Sequence, residues 1–417
     1  MSRETGLSEW SATVSTHLPH LSAPQATVLA LWRYRIALTI SCGRTTVATF
    51  LALLLHGKVG SMEHRLRAWC YAAEAKAGSK RGAKRQALDV TTCFVPLLRW
   101  IVCLWQGTCL ALAIDATSLG DRFVVLTVSV VYRGMGLPVA WTILAANQKH
   151  AWRREWRRML RLLRPAIPPA WTVLVLADRG LYAPWLFRRI VRLGWHPFLR
   201  INQGAKFRPL GQAQWYWLRE LCGSVGQRWR GAGTAFVTKE SQLACTLVAW
   251  WGEGSTEPWL ILTDLDPDGC DAAWYGVRTW CEQGFKCFKR GGWQWQQTRM
   301  TDPDRAARLW LALAVATLWT VSVGSALEDG SAARGLDGMD LPPLVDVLQA
   351  RPVGPPRRMR LLRLGWLWVV VQMITTHRLP LPQCLVPDPW PEVPQRLELP
   401  IPHQEALSDV PISETAP

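Results

Sequence analysis

No C-x-x-C pair occurs among the eleven cysteines, and an odd, scattered set of this kind supports neither a zinc ribbon, a redox dithiol nor a disulfide framework. A reducing cytosol suits it best. The first thirty residues lack a basic start followed by an apolar run and carry Glu4, Glu9, His17 and His20 instead, so export by a secretory signal is not expected. The eight histidines show neither metal-ligand nor catalytic-triad spacing, which leaves a histidine-based hydrolase without support. No internal repeat is visible. Asp264-x-Asp266-x-Asp268-Gly269 opens like a calcium loop, but Pro267 interrupts it and Tyr275 stands where the bidentate glutamate belongs. Uncharged runs of membrane-spanning length are scarce: residues 309–327 form one of 19, diluted by Thr317, Thr320, Ser322, Gly324 and Ser325. With Arg305 and Arg308 before it, the run reads as a core helix with a solvated start rather than a span.

What the chain has in excess is positive charge. Lys and Arg number 48 against 31 Asp and Glu, a net +17 over 417 residues. Such an imbalance favours a polyanionic partner through phosphate neutralisation and long-range steering. Nucleic acid is the leading candidate and an anionic membrane surface the alternative. The length suggests two or three structural units.

Residues 25–75 read as helices broken near 41–44 and 57–61, with Thr45 or Thr46 placed to cap the apolar run 47–55. Residues 76–85 hold five basic side chains in ten, as an exposed linker, a phosphate-tracking segment or a solvated loop. From residue 110 the pattern changes. Apolar residues 110–114 end at Asp115, and 123–132 are rich in β-branched residues. After a turn at 133–136 comes another such run, 137–144. A helix is expected over 151–163, a strand over 171–177 ending at Asp178, a helix near 182–193 and a strand over 195–201. This order predicts a mixed sheet with helices on its faces. If the first and fourth strands are neighbours, Asp115 and Asp178 lie close together. Runs at 234–238, 243–251 and 259–263 predict an antiparallel β region inserted over about 203–270. Helices follow at 272–289, 305–327 and 359–376. A Pro/Gly-rich stretch separates the last two, and a proline-rich, acidic tail expected to be disordered follows residue 379.

The 272–289 segment is the most informative. At about 100° per residue, Tyr275, Arg278, Glu282 and Lys289 fall within an arc of about 60°, with Lys286 at its edge. Trp274, Val277, Cys281, Phe285 and Phe288 form a neighbouring apolar face that anchors the helix. Plainer accounts exist for each acid: Arg278 and Glu282 as an i,i+4 pair, Asp115 as a turn cap, Asp178 as the N-cap of the next helix.

Taken together, Tyr275-x2-Arg278-x3-Glu282-x6-Lys289 resembles the signature of the insertion-sequence-four type of bacterial DDE transposases, over roughly residues 105–325. Asp115 and Asp178 match the first two acids of that family by position and context. The resemblance implies an α/β, ribonuclease H-like fold: a mixed sheet flanked by helices, with a β insertion before the glutamate-bearing helix. It also implies an N-terminal helical, DNA-end-binding domain over 1–95, and a catalytic domain over 105–330. A Pro-rich connection and C-terminal helix would then occupy 331–379, ahead of a disordered tail at 380–417. By the same resemblance, Asp115, Asp178 and Glu282 hold two Mg²⁺ ions, with Mn²⁺ able to substitute, for strand cleavage and transfer at the ends of an insertion sequence. Tyr275, Arg278, Lys289, Lys286 and Arg179 contact DNA, and Trp251, Trp293 and Trp295 are available to stack a flipped base. Partners are duplex DNA, as terminal inverted repeats and target, and a second copy of the chain in the DNA complex. No membrane is expected, and the setting is the bacterial cytoplasm, at the nucleoid. A catalytically inactive, DNA-binding descendant is the alternative.

Overall fold

The computed structural model describes residues 3–72, 88–146, 152–329, 360–376 and 379–390. The basic segment 76–85, the Pro/Gly-rich stretch 330–356 and the tail beyond 390 lie outside the described residues. The chain divides into two compact units: Met1–Ala177 with Arg192–Trp195 and Val277–Pro389, and Asp178–Val191 with His196–Gly276 and Trp390–Pro417.

The first unit begins with helices α1 (Arg3–His17), α2 (Ala23–Thr39), α3 (Arg44–Leu54), α4 (Val59–Cys70) and α5 (Phe94–Leu104). The third starts at Arg44 with Gly43 as N-cap, two or three residues ahead of the threonines expected to cap it. Strands β1 (Cys109–Leu119), β2 (Phe123–Tyr132) and β3 (Met135–Ala145), helix α6 (Arg153–Leu163) and strand β4 (Thr172–Ala177) follow. Nearly all of β2 is buried, which suits its run of valines: a strand covered on both faces has no reason to alternate. Arg133 (φ 40°) and Gly134 (φ 84°) both take positive φ in the two-residue β2–β3 turn, the geometry that matches strand twist and favours glycine.

The strands of this unit lie in the order β3-β2-β1-β4, antiparallel except for the parallel β1/β4 pair. The β1/β4 register runs from Cys109↔Thr172 to Ile114↔Ala177. The strands leading to Asp115 and Asp178 are therefore side by side, as the sequence condition required.

The second unit holds α7 (Pro184–Val191), β5 (His196–Arg200), β6 (Lys206–Pro209), β7 (Tyr216–Trp217), α8 (Leu218–Leu221), β8 (Arg228–Ala235), β9 (Leu243–Trp250) and β10 (Trp259–Thr263). Its strands are antiparallel, in the order β5-β10-β9-β8-β6-β7. The expected strand at 234–238 lies earlier, at β8, because Phe236 leaves the extended region with φ 67°.

The chain returns to the first unit with α9 (Trp280–Phe288), α10 (Pro303–Glu328) and α11 (Arg360–Thr375). Pro303 sits in the first turn of α10, and the Asp302 side chain accepts from Arg305 N at 3.0 Å. The apolar window of α10 is wholly buried, so the 309–327 run is a core helix. The expected solvated start is corrected at Arg308, which is buried and donates to the carbonyls of Leu88 (3.0 Å) and Cys70 (2.7 Å). Gly324 and Gly365 let α10 and α11 cross backbone to backbone, since a Cβ on either would overlap a carbonyl of the other helix. Helices α2 and α4 also pack on α10. The expected disorder after residue 379 is corrected for 379–389. Leu385 N donates to Leu104 O (2.7 Å), Gln106 N donates to Leu385 O (2.8 Å), and the Trp319 indole donates to Pro380 O (2.8 Å).

Candidate acidic site on strand β1 and helix α9

Strand β1 does not end at Asp115. It continues to Leu119, so the acid sits within the strand, paired with Thr127 of β2. Its Oδ1 accepts from Ala116 N at 2.8 Å, and its Oδ2 lies 3.1 Å from Arg278 Nη2 and 3.2 Å from Cys281 Sγ, which donates to it. The other arm of the same guanidinium, Nη1, donates to Glu282 Oε1 at 3.0 Å. Two carboxylates, one on a strand and one on a helix, thus converge on one cation.

The two legs differ in strength. Asp115 and Arg278 are 15% and 10% exposed, so their attraction is little screened, whereas Glu282 is 48% exposed and its leg is weakened by water. Burial raises the Cys281 thiol well above its ordinary range, with the Asp115 charge as the next cause, so the sulfur is a proton donor to the carboxylate.

Helix α9 is held against the sheet by two glycines. A Cβ on Gly284 would stand 2.5 Å from the Gly136 carbonyl oxygen, and one on Gly136 would stand 2.8 Å from the Cys281 Cα. That close approach sets the height of Glu282 above β1. Lys289, just past the helix end, donates to Thr117 Oγ1 (2.8 Å) and Ser118 O (2.6 Å), pinning the helix to the far end of β1. Desolvation lowers its pKa from the ordinary lysine value. Lys286 is exposed one turn after Glu282.

The single helix expected over 272–289 is corrected. Residues Ala272–Thr279 form a 3₁₀ helix and only Trp280–Phe288 is α-helical, so one wheel at 100° per residue does not describe both parts. Arg278, Glu282 and Lys289 belong to the first unit, with Lys289 reaching β1 from the helix terminus. Tyr275 belongs to the second unit, 3% exposed and packed edge-on against Trp259 with ring centroids 5.5 Å apart.

Asp178 opens the second unit directly after Ala177, the register partner of the residue preceding Asp115. The capping account of Asp178 fails, because the next helix, α7, starts only at Pro184. Arg179 Nη1 donates to both oxygens of Glu257 (2.7 and 2.8 Å), and Arg200 donates to the same carboxylate (2.9 Å).

Of the tryptophans offered for stacking, Trp293 and Trp295 are buried. The Trp293 indole donates to Thr317 Oγ1 (2.8 Å), while Trp295 stacks on Phe123 and meets Trp310 edge-on. Their indoles are core material. Trp251, in the second unit, is half-buried and donates to Ser255 O at 2.9 Å. Beside it lies an open cavity of about 400 Å³ lined by Gly226, Trp250, Gly252, Glu253, Ser255 and Trp259. Arg228 stacks over the Trp250 ring at 4.6 Å. Trp250 and Trp259 are register partners in the β9–β10 pair, a signal that strand alternation carries but that the sequence reading did not extract.

A hard divalent cation takes oxygen ligands, and Asp115 and Glu282 already share one positive group, so this donor pair fits such an ion with Arg278 marking where positive charge is held. Among the described residues, no three acidic, histidine or cysteine side chains gather as a ready-made metal cluster.

Asp115 lies within β1, Asp178 follows β4, the parallel neighbour of β1, and Glu282 lies on α9. The chain matches the transposase DDE domain family over residues 111–319, half of its length, and belongs to that family. Members of this family generally use divalent metals. No curated protein matches its sequence. Among solved structures, the piggyBac transposase synaptic complex with hairpin DNA is similar at 9% identity and a TM-score of 0.33, over 87% of this chain and 77% of that one.

Proposed function

We propose that this transposase cuts and rejoins DNA at the ends of an insertion sequence of the insertion-sequence-four type, with Asp115, Asp178 and Glu282 as one centre on a ribonuclease H-like core. The observation that supports this most strongly is the convergence of Asp115 and Glu282 on Arg278, on a strand whose parallel neighbour leads into Asp178. The three acids would hold two Mg²⁺ ions, or Mn²⁺ in their place. When bound, the ions supply Lewis acidity at the attacking hydroxyl and the leaving 3′ oxygen.

The chain's own groups do the positioning. Asp115 is fixed by its strand and by the Ala116 and Cys281 donors, so it offers oxygens without reorganising. Arg278 would offer its fork to a phosphate oxygen pair on releasing Asp115 and Glu282, which hold both of its terminal nitrogens here, and Lys286 on α9 and Lys289 just past its end add point charges. Tyr275 and Arg179 would act from the second unit, together with Trp251 as a surface for an unstacked base. The N-terminal helices α1–α4 would read the terminal repeats. A homodimer would bring two ends together in the bacterial cytoplasm, without a membrane.

Mobilisation of a marked element in cells tests this reading. Asp115→Asn, Asp178→Asn and Glu282→Gln should each abolish excision while leaving protein levels unchanged. Excision at the wild-type rate in all three would overturn it. A second reading, a DNA-binding descendant without catalysis, is favoured by one observation: Arg278 already neutralises two of the acids. End-specific binding of wild-type protein with no cleavage in Mn²⁺ would establish that reading instead.

A further inference from the structure

Helix α6 carries a basic face that the acidic site does not use. Its sequence, RREWRRMLRLL, places Trp156, Met159, Leu160 and Leu163 in the core, against α5, β2 and β3. Arg153, Arg154, Arg157 and Arg161 are exposed, and no acidic side chain among the described residues pairs with Arg154, Arg157 or Arg161. At about 100° per residue the helix's arginines span an arc of about 140°, and Arg153, Arg157 and Arg161 form a row rising about 6 Å per step. The lone acid of the helix, Glu155, is taken by Arg158 (3.2 Å) and Thr142 (3.3 Å). Arg99 of α5, also exposed, reaches the end of this helix and donates to Pro165 O at 3.2 Å.

The strand beneath shows where this face points. Thr142 bonds α6, whereas the preceding residue, Trp141, donates to Ala307 O (3.1 Å) and packs on Trp310 of α10. Successive strand residues face opposite sides of a sheet, so α6 and α10 cover opposite faces. Helix α9 lies on the α10 side, with Phe288 edge-on to Trp310 at 4.6 Å. The arginine face is thus across the sheet from the Arg278–Glu282 pair.

We propose that the exposed arginines of α6, with Arg99, form a second binding surface, which tracks the phosphate backbone of duplex DNA without reading sequence. The proposal rests on the transposase reading for its choice of duplex DNA. Arg154, Arg157 and Arg161, held on a rigid helix and without acidic partners among the described residues, match what backbone contact requires. A bilayer surface is disfavoured because an interfacial helix must bury its apolar face in lipid, and here that face is already buried in protein.

The test is binding of the full chain to a labelled duplex of arbitrary sequence, in EDTA, as a function of salt. Replacing Arg154, Arg157 and Arg161 together by glutamine should lower the log–log salt slope by about 2.7, at about 0.9 per lost contact. Between about 50 and 200 mM salt, the wild-type affinity should therefore fall about 40-fold more than that of the variant. The Arg→Lys triple should keep the wild-type slope, with circular dichroism showing that both triples are folded. An unchanged slope and affinity in the glutamine triple would overturn the inference while leaving the transposase reading intact. Failure of wild-type protein to bind any duplex would overturn the transposase reading itself. Lost binding to anionic phosphatidylserine vesicles with unchanged duplex binding would show a membrane surface and overturn the proposal.

Discussion

Gly284 of α9 lies against the main chain of Gly136 in β3 so closely that a Cβ would stand 2.5 Å from the Gly136 oxygen. Neither glycine carries chemistry, yet this contact decides how near Glu282 comes to Asp115. Backbone on both sides leaves little room to relax. Gly284→Ala should therefore destabilise the fold by about 1–3 kcal/mol. By shifting the glutamate, it should also reduce strand cleavage by about 100-fold under conditions where the protein remains folded. Urea unfolding and single-turnover cleavage measured side by side check both numbers. A variant with wild-type cleavage would show that α9 is not fixed by this contact.

Arg278 holds two carboxylates at once, and removing it leaves Asp115 largely buried without its cation. Arg278→Met should cost about 1–3 kcal/mol in metal-free buffer. Added Mn²⁺ should raise the melting temperature of this variant more than that of wild type, because the carboxylates it leaves uncompensated gain most from a cation. Equal shifts in the two proteins would argue that the acids do not share a cation.

The cysteines offer a check on burial. Cys42, Cys70 and Cys93 are buried and pushed up to about 12 by desolvation, whereas Cys103, Cys109 and Cys384 are exposed. Thiolate is the reactive form, so alkylation of native protein near neutral pH should label the three exposed thiols first. Mass spectrometry of the labelled peptides reads the order directly. Early labelling of Cys70 would contradict the packing of α4 on α10.

The close crossing of α10 and α11 depends on Gly324 and Gly365, where any side chain meets a carbonyl. Gly365→Val should destabilise the chain by about 3 kcal/mol or more, beyond ordinary overpacking because the clash is with main chain. Thermal unfolding measures this, and an unchanged melting temperature would show that α11 does not sit there.

Much of the first unit was legible because its strands are dense in β-branched residues bounded by turn signals. Strand β2 spans its valine run and β4 leads into Asp178, whereas Asp115 falls within β1 and not at its end. The glutamate's helix was less legible. Its 3₁₀ start and its seat on Gly136 arise from tertiary contact, which no periodicity records. Helix α1, RETGLSEWSATVSTH, has no clean apolar stripe, so its residues do not delimit it and only the family resemblance places helix in this region. The strap at 379–389 docks largely through backbone hydrogen bonds, which composition does not signal. Helical spacing places Cys281 on the anchoring face, and the structure adds that its thiol donates to Asp115.

Asp115, Asp178 and Glu282 are proposed to work as one metal-dependent centre. Cleavage of a duplex carrying the element's end by purified protein, measured across a Mn²⁺ titration, tests it most directly. Cleavage should require Mn²⁺ or Mg²⁺ and fall by about 100-fold or more in each of Asp115→Asn, Asp178→Asn and Glu282→Gln, with end binding in EDTA retained. Metal-independent cleavage, or full activity in any one of the three variants, would contradict it.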